Sequence, residues 1–412
     1  MRLLLLTAYF PPDNGSAAHL FYELGTAFRD RGHQVTVITQ LPGYHASGDL
    51  KPYRRKLWVR ERIAGIKVVR VFVPVPPRRL MIGRALWQFS CAITFLAAAL
   101  LTRRHDAVVV YSPPLPLGLT AWVLRLTKRS PYILNIQDLF PQSIIDLGLL
   151  RNRLAIRVFE LMERFCYKVA DRVTVHSPGN RDHILRKGGR PERTIVIPNA
   201  VDTEFIKPGP RLNGFRKEHG LGNNDFVLSF AGVIGYSQDI DVILEAAKQL
   251  NERVTGGQAP ITWLIVGDGV EKDRLQKKAV DFALRNVLFL PMQSREKYPS
   301  ILHASDVCLC TLHADVRTPV VPSKILSIMA AGRPVIVAMN PGDATFLIQE
   351  AGCGVCVPPE EPVALAQAVW RLYKDPAKAE TMGECGRRYA DEHLSLGVFA
   401  SRYEELARNL KL

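Results

Sequence analysis

A lysine placed at the start of a helix is the residue that most narrows the chemistry of this sequence. Thr318-Pro319-Val320-Val321-Pro322-Ser323-Lys324 leads into an apolar helix expected over residues 325–331, closed by Gly332-Arg333-Pro334. The helix macrodipole is positive at that end, so a cation there costs stability unless an anion shares the site. Ser323 and Lys324 therefore read as a diphosphate clamp, with the lysine as point charge and backbone N–H groups as directional donors. A lysine simply pointing into solvent is the competing reading. Gly232-Val233-Ile234-Gly235 and Gly267-Asp268-Gly269 each follow an expected strand, and Gly15 lies in the loop after the first strand. Small residues at a strand-to-helix turn let a ligand approach the backbone, and helix-start N–H groups favour anionic oxygens. Neither G-x-G-x-x-G nor G-x-x-x-x-G-K-[ST] occurs, which removes the main support for a nicotinamide enzyme or a P-loop NTPase.

These residues need a scaffold, and the hydrophobic pattern supplies one. Residues 3–7, 35–39, 67–72, 107–111, 132–136, 172–176 and 194–197 read as strands buried on both faces, separated mostly by helical segments. After the Pro/Gly-rich stretch 207–214 a second set follows at 226–231, 261–266, 287–290, 307–312, 335–337 and 354–357, alternating with helices such as 240–250. The fold class expected is α/β, two Rossmann-like domains with parallel, doubly wound sheets. The expected domains are 1–200, 201–395 and a C-terminal helix over 396–412 that returns to the first domain. Ligands of such sheets bind at the C-terminal strand ends, so a two-domain version places its site in an interdomain cleft.

Charge is divided unevenly along the 412 residues. Residues 1–200 carry 30 Lys+Arg against 13 Asp+Glu, a balance of +17, whereas residues 201–412 carry 24 against 26. Within 51–104 there are 13 basic residues and one acid, Glu61. Nucleic acid, an anionic membrane or a phosphorylated substrate would each suit such a half. No nucleic-acid-binding module is present, and cations around an apolar helix fit a membrane face better. Residues 85–102 lack charge and are flanked by Arg78, Arg79, Arg84, Arg103 and Arg104; lying between two strands of one sheet, they read as a buried or interfacial helix rather than a span. Seven scattered cysteines indicate a reducing compartment, with Cys353-x-x-Cys356 read as buried thiols rather than a zinc or redox pair. Met1-Arg2 runs straight into Leu3–Leu6, too short for a signal-peptide core, so a cytoplasmic location is expected.

Taken in order, several motifs give the chain a family resemblance. They are Asn14-Gly15-Ser16-Ala17-Ala18, Ala170-Asp171-Arg172-Val173, Pro198-Asn199-Ala200-Val201-Asp202, Val266-Gly267-Asp268-Gly269, Ala304-Ser305-Asp306-Val307 and Met329-Ala330-Ala331-Gly332-Arg333-Pro334. The chain resembles the family-four retaining glycosyltransferases of GT-B architecture. Through Asn135-Ile136-Gln137-Asp138-Leu139-Phe140-Pro141, Gly235-x-x-Gln238 and Pro322-Ser323-Lys324 it is similar to the branch of bacterial exopolysaccharide and O-antigen fucosyl- and N-acetylfucosaminyl-transferases. The resemblance implies transfer of a sugar, with retention, from a nucleotide diphosphate donor of UDP or GDP type to a lipid-linked glycan. No metal or other cofactor is implied, and the enzyme would sit peripherally on the inner face of the plasma membrane, with an anionic membrane surface as partner and no nucleic acid. It also implies donor contacts at Gly15, Gly232, Gly235, Gln238, Gly267, Asp268, Gly269, Met292, Ser323, Lys324 and Ser327, with Gln137, Asp138 and Lys324 in catalysis.

The sequence departs from that family in places. Where members carry two glutamates ahead of the Ala-x-Gly-x-Pro segment, Pro319 and Ser327 stand here; Ser327 can still bond a ribose hydroxyl, more weakly than a carboxylate. Tyr236, Ser237 and Gln238 replace the family's Arg and Lys beyond the first donor-domain strand, leaving Lys324 with more of the diphosphate charge. Gln137 and Asp138 stand in place of a catalytic histidine; Asp138 can accept sugar hydroxyls or cap the following helix. Asp239-Ile240-Asp241 imitates a D-x-D metal motif but sits where a helix begins, so capping is the reading adopted. A catalytically inactive GT-B scaffold is the alternative function, and a nucleotide-sugar epimerase the more distant one.

Overall fold

The structure is a computed structural model that describes all residues except 14, 44–45, 47–48, 75–80, 147, 254–260 and 411–412. Asn14, Arg78 and Arg79 of the sequence argument lie outside the described residues. The chain divides into two compact units, Met1–Ala200 with Leu396–Leu412, and Val201–Ser395.

Unit 1 holds eight strands, β1 (Arg2–Leu6), β2 (Gln34–Gln40), β3 (Trp58–Ile63), β4 (Ile66–Val71), β5 (Ala107–Ser112), β6 (Tyr132–Ile136), β7 (Arg172–Val175) and β8 (Thr194–Val196), in the order β3-β4-β2-β1-β5-β6-β7-β8. Seven run parallel and are almost wholly apolar because helices cover both faces. The eighth corrects the expectation of an all-parallel sheet. β3 pairs antiparallel with β4, from Trp58 opposite Val71 to Ile63 opposite Ile66. Ala64 and Gly65, at φ 46° and 78°, make the two-residue turn whose left-handed residues match strand twist. The three charged residues of Trp-Val-Arg-Glu-Arg-Ile break the apolar run by which buried strands are recognised, and an edge strand open to solvent needs no such run.

One sheet face carries α1 (Ser16–Asp30) and the helix Leu396–Asn409, packed through Phe21, Phe28, Phe399 and Tyr403. On the other lie α2 (Met81–Leu100), α3 (Leu117–Lys128) and the helix Arg153–Val169, packed through Phe95, Leu124, Phe159 and Cys166. Residues 85–102 thus fall largely within α2, whose Phe95, Ala98 and Ala99 are buried against the sheet. No helix among the described residues is long and apolar enough to cross a membrane.

Unit 2 contains β9 (Phe226–Ala231), β10 (Ile261–Val266), β11 (Val287–Leu290), β12 (Val307–Thr311), β13 (Val335–Ala338) and β14 (Gly354–Val357), all parallel, in the order β11-β10-β9-β12-β13-β14. Strand order reverses between β9 and β12 here, and between β1 and β5 in unit 1, so each sheet has a switch point where a crevice opens at the C-terminal ends.

Three aspartates, each just ahead of a strand, tie down the neighbouring strand. Asp106 accepts the Arg2 N–H at 2.7 Å, Asp171 that of Tyr132 at 3.1 Å, and Asp306 that of Val227 at 2.8 Å. Asp171 also takes Arg125 at 2.8 Å, and Asp306 takes Arg216 at 3.0 Å. The motifs around Asp171 and Asp306 are therefore architectural, lying at the strand ends opposite the crevices. All seven cysteines are free; burial pushes the Cys353 thiol up to about 12 and raises that of Cys356, which leaves both poor metal or redox ligands.

Candidate functional site

In unit 2 the expected residues converge at the switch point. The helix Ser323–Ala330 begins two residues earlier than the pattern indicated, so Lys324 lies in its first turn, and Pro322 at its N-cap supplies no side-chain acceptor. Lys324 points back toward β9: its Nζ donates to Gln238 Oε1 at 2.8 Å and rests 3.8 Å from the centre of the Phe230 ring. A Cβ built on Gly232 would come within 3.1 Å of that Nζ, so the absent side chain leaves the ammonium its room. No carboxylate pairs with Lys324 among the described residues. Burial lowers its pKa, because an ammonium surrounded by protein loses hydration that an amide oxygen and a ring replace only in part.

Gln238 is itself held in place. Its N–H donates to the Gly235 carbonyl at 3.0 Å, and the Thr311 hydroxyl donates to its carbonyl. Thr311 ends β12 and Phe230 is the penultimate residue of β9. Sequence reasoning passed over both; strand pairing alone joins them to a lysine so distant in the chain.

The glycine loops divide into two roles. Gly267 and Gly269 are required by packing between loops: a Cβ at Gly267 would lie 1.9 Å from the Gly232 carbonyl oxygen, and one at Gly269 2.1 Å from that of Ile234. Backbone bonds from Gly232 to Val266 and from Ile234 to Asp268, each 2.9 Å, fasten the loops together. Gly235 has open space around its Cβ position apart from Val233 at 3.8 Å. Asp268 is engaged with Lys272 at 2.6 Å and with the Met292 N–H at 2.9 Å, which hold its carboxyl pKa down. It thereby positions Met292, whose side chain is exposed, as are Val233 and Tyr236. Ser323 is exposed at the helix start, and the Ser327 hydroxyl faces the Ser323 carbonyl at 3.5 Å and the Tyr298 phenol. Asp239 accepts the Val242 N–H and so caps the helix Asp241–Arg253, while Asp241 is bound by Arg274 and Lys278, both at 2.5 Å.

Unit 1 presents different groups at its strand ends. Gly15 opens α1 at φ 115° with nothing near its Cβ position. Buried Arg70 donates to the Pro11 carbonyl in the same loop and pairs with Glu61 at 2.5 Å, so the one acid of the basic stretch serves an internal pair. Gln137 is not free: its amide nitrogen donates to Asn135 at 3.0 Å and Asn199 at 2.9 Å, and its oxygen accepts from Asn199 at 2.7 Å. Asn135 continues the network to Tyr403 at 2.6 Å, and Tyr403 to Thr174 at 2.9 Å. Asp138, one residue on, accepts the Phe140 N–H on its backbone carbonyl at 2.9 Å, while its carboxylate accepts no hydrogen bond among the described residues. Although its surface meets solvent, surrounding atoms raise its carboxyl pKa through desolvation.

Two linked α/β units, each with a crevice at its switch point, define the class. The chain is matched over residues 14–200 by the glycosyl transferase 4-like domain family and over residues 213–389 by the glycosyl transferases group 1 family. It therefore belongs to the GT-B glycosyltransferases that combine these two domains. Among relatives, it is 25% identical to WcaI of Escherichia coli K12, assigned as a colanic acid biosynthesis glycosyl transferase, over 97% of this chain and 98% of that one. Sucrose-phosphate synthase of Thermosynechococcus elongatus shares the fold with a TM-score of 0.78 at 19% identity, covering 100% of this chain and 99% of that one. HepE of Anabaena, solved in complex with UDP-glucose, superposes with a TM-score of 0.72 at 19% identity, over 99% and 100% of the two chains.

Proposed function

We propose that this glycosyltransferase moves a hexosyl or N-acetylhexosaminyl group, with retention, from a UDP- or GDP-sugar to a lipid-linked glycan during assembly of a bacterial surface polysaccharide. The observation that carries the donor assignment is Lys324: an ammonium desolvated at an uncapped helix start, beside Gly232, with only a neutral amide and a ring for company. An anion is the partner this arrangement lacks. In the transfer, the bond from the anomeric carbon to the diphosphate oxygen breaks with its electron pair going to that oxygen. A new bond forms to an acceptor hydroxyl, whose proton passes to the departing diphosphate oxygen. Lys324 and the free N–H groups after Pro322 neutralise the departing diphosphate, so no metal is required for that step. Asp138 is assigned to a sugar hydroxyl, and exposed Val233, Tyr236 and Met292 to the flat face of the base.

The surface-polysaccharide setting is supported by the full-length similarity to WcaI, and the nucleotide class by the UDP-glucose complex of HepE. The basic first half, at +17, supports a place at the inner membrane face, where lipid-linked phosphates are presented. GDP-fucose and UDP-N-acetylfucosamine head the donors to be screened, followed by other UDP- and GDP-sugars, with a polyprenyl-diphosphate glycan as acceptor. A melting-temperature shift by UDP or GDP in wild-type protein, absent in Lys324→Ala, is the first measurement. No shift with either nucleotide would falsify the donor site.

A further inference from the structure

Two helices of unit 1 carry apolar side chains on their outer surfaces as well as their inner ones. In the helix Arg153–Val169 the inward side is Phe159, Glu163, Cys166 and Tyr167, yet Leu154, Val158, Leu161 and Phe165 are exposed. Their spacing of four, three and four residues makes one continuous stripe. α2 repeats the arrangement with exposed Leu86, Phe89, Ile93 and Leu100. The two helices touch where Phe89 stacks on Phe159, ring centres 6.4 Å apart, and Trp122 of α3 meets Phe165 at 5.1 Å. By contrast, among the described residues neither α1 nor the helix Leu396–Asn409, on the other sheet face, exposes a large apolar side chain.

Charge along the helix Arg153–Val169 is sorted as well. Arg153, Arg157, Arg164 and Lys168 line one flank of its stripe and make no ion pair among the described residues. Both acids of the helix are engaged by other partners: half-buried Glu160 pairs with Lys187 at 2.7 Å and also feels the charge of Arg164 one turn on, and buried Glu163 bonds Tyr167 at 3.0 Å and His183 at 3.2 Å. An apolar ridge edged by four cations, with one acid near them already neutralised by Lys187, is complementary to an anionic lipid surface: acyl chains meet the ridge and headgroup phosphates the edge. A second copy of the chain would present the same cations and be repelled.

We infer that the face formed by α2 and the helix Arg153–Val169 docks this protein on anionic membranes. The inference deepens the reading of a lipid-linked acceptor and moves the contact from residues 51–104 alone to a surface whose other half lies at 153–169. The test is flotation of the full chain with phosphatidylcholine vesicles, with and without phosphatidylglycerol. Wild type should bind the anionic vesicles, less as salt rises. The double variant Leu154→Asp, Leu161→Asp should bind about tenfold less or weaker still, and Arg157→Glu with Arg164→Glu should lose the preference for anionic lipid. An unchanged melting temperature shows that the variants fold, and an unchanged UDP or GDP shift shows that the donor unit is intact. Equal binding by the double variant and wild type, or no binding by wild type, overturns the inference. So does a lipid-free dimer that Leu161→Asp dissolves, which would give the face to a second copy. Failure of the nucleotide shift in wild type would sink the donor assignment while leaving vesicle binding to be judged on its own.

Discussion

The two units share one architecture, yet their strand ends hold opposite unpaired charges, and neither sign follows from the unit's net charge. The near-neutral second half keeps one desolvated cation, Lys324, at its switch point. The first half, at +17, keeps a solvent-facing carboxylate, Asp138, after β6, whose pKa the surrounding atoms raise. Bulk charge is carried by exposed side chains and governs long-range attraction, which salt screens. Site charge depends on one group and on how its immediate neighbours alter its hydration and pairing. The difference separates two proposals that can be tested apart: that the +17 governs where the molecule goes, and that Lys324 and Asp138 govern what it does there.

Removing the cation should have the largest effect. Lys324→Ala is expected to lower turnover by about 10²–10³-fold, the usual result of deleting a group that stabilises developing charge. Its melting temperature should change little, since the ammonium lost was only partly compensated by Gln238 and the Phe230 ring. Turnover within a factor of a few of wild type would end the diphosphate assignment. Asp138→Asn comes next: losing a charge-assisted hydrogen bond to a sugar hydroxyl costs about 1.5–3 kcal/mol, or roughly 10–100-fold in rate. The UDP or GDP shift should survive in that variant, because the residue belongs to the other unit. Loss of both together would show that the two charges do not divide the work.

Acidity should report the same contrast. Lys324 has a lowered pKa, so as pH rises its ammonium is lost before that of an ordinary lysine, and kcat/KM should fall on the alkaline side accordingly. Lys324→Arg, always protonated, should move that limb to higher pH in whatever activity it retains. Asp138 has a raised pKa, so its carboxylate is lost on acidification at a pH above the ordinary carboxylate range. An acid limb that persists unchanged in Asp138→Asn would assign it to another group. A smaller and purely structural effect is expected at Gln137, whose amide bonds Asn135 and Asn199. Gln137→Ala should destabilise by about 1–3 kcal/mol through unpaired buried amides, with the nucleotide shift retained.

Much of this was legible in the order of residues. Runs such as Ala107–Ser112 declare buried strands by composition, and Lys324 after Pro322 declares a cation at a helix start. What escaped notice depends on neighbours brought together by the sheet. Phe230 and Thr311 become part of the lysine's seat only because β9 and β12 are adjacent. The bonds of Gln137 to Asn199 exist because the end of β6 and the stretch after β8 meet, which no local pattern records. The glycines of Gly267-Asp268-Gly269 suggest space in the chain, and in the fold a neighbouring carbonyl lies where each missing Cβ would stand. A one-dimensional pattern records that a side chain is absent but not what fills the gap.

Ser327 provides the finest test of the comparison. It stands where the family resemblance places a ribose-gripping glutamate, on the same helix as Lys324 and about one turn further on. Were the site built from accumulated weak contacts, truncating this hydroxyl would matter nearly as much as truncating the ammonium. The structure gives the hydroxyl local employment instead, toward the Ser323 carbonyl at 3.5 Å and the Tyr298 phenol. A neutral hydroxyl exchanging such contacts for a ribose hydroxyl gains about 0.5–1.5 kcal/mol at most. Ser327→Ala should therefore change KM for the donor by less than about tenfold and leave kcat nearly unaltered, since the ribose carries no developing charge. Ser327→Glu, which adds an anion one turn from the lysine, should separate the alternatives. If it tightens donor binding, the ribose contact is present and merely weak in the wild type. If it weakens nucleotide binding as severely as Lys324→Ala, the carboxylate has taken the lysine as its partner in place of the diphosphate.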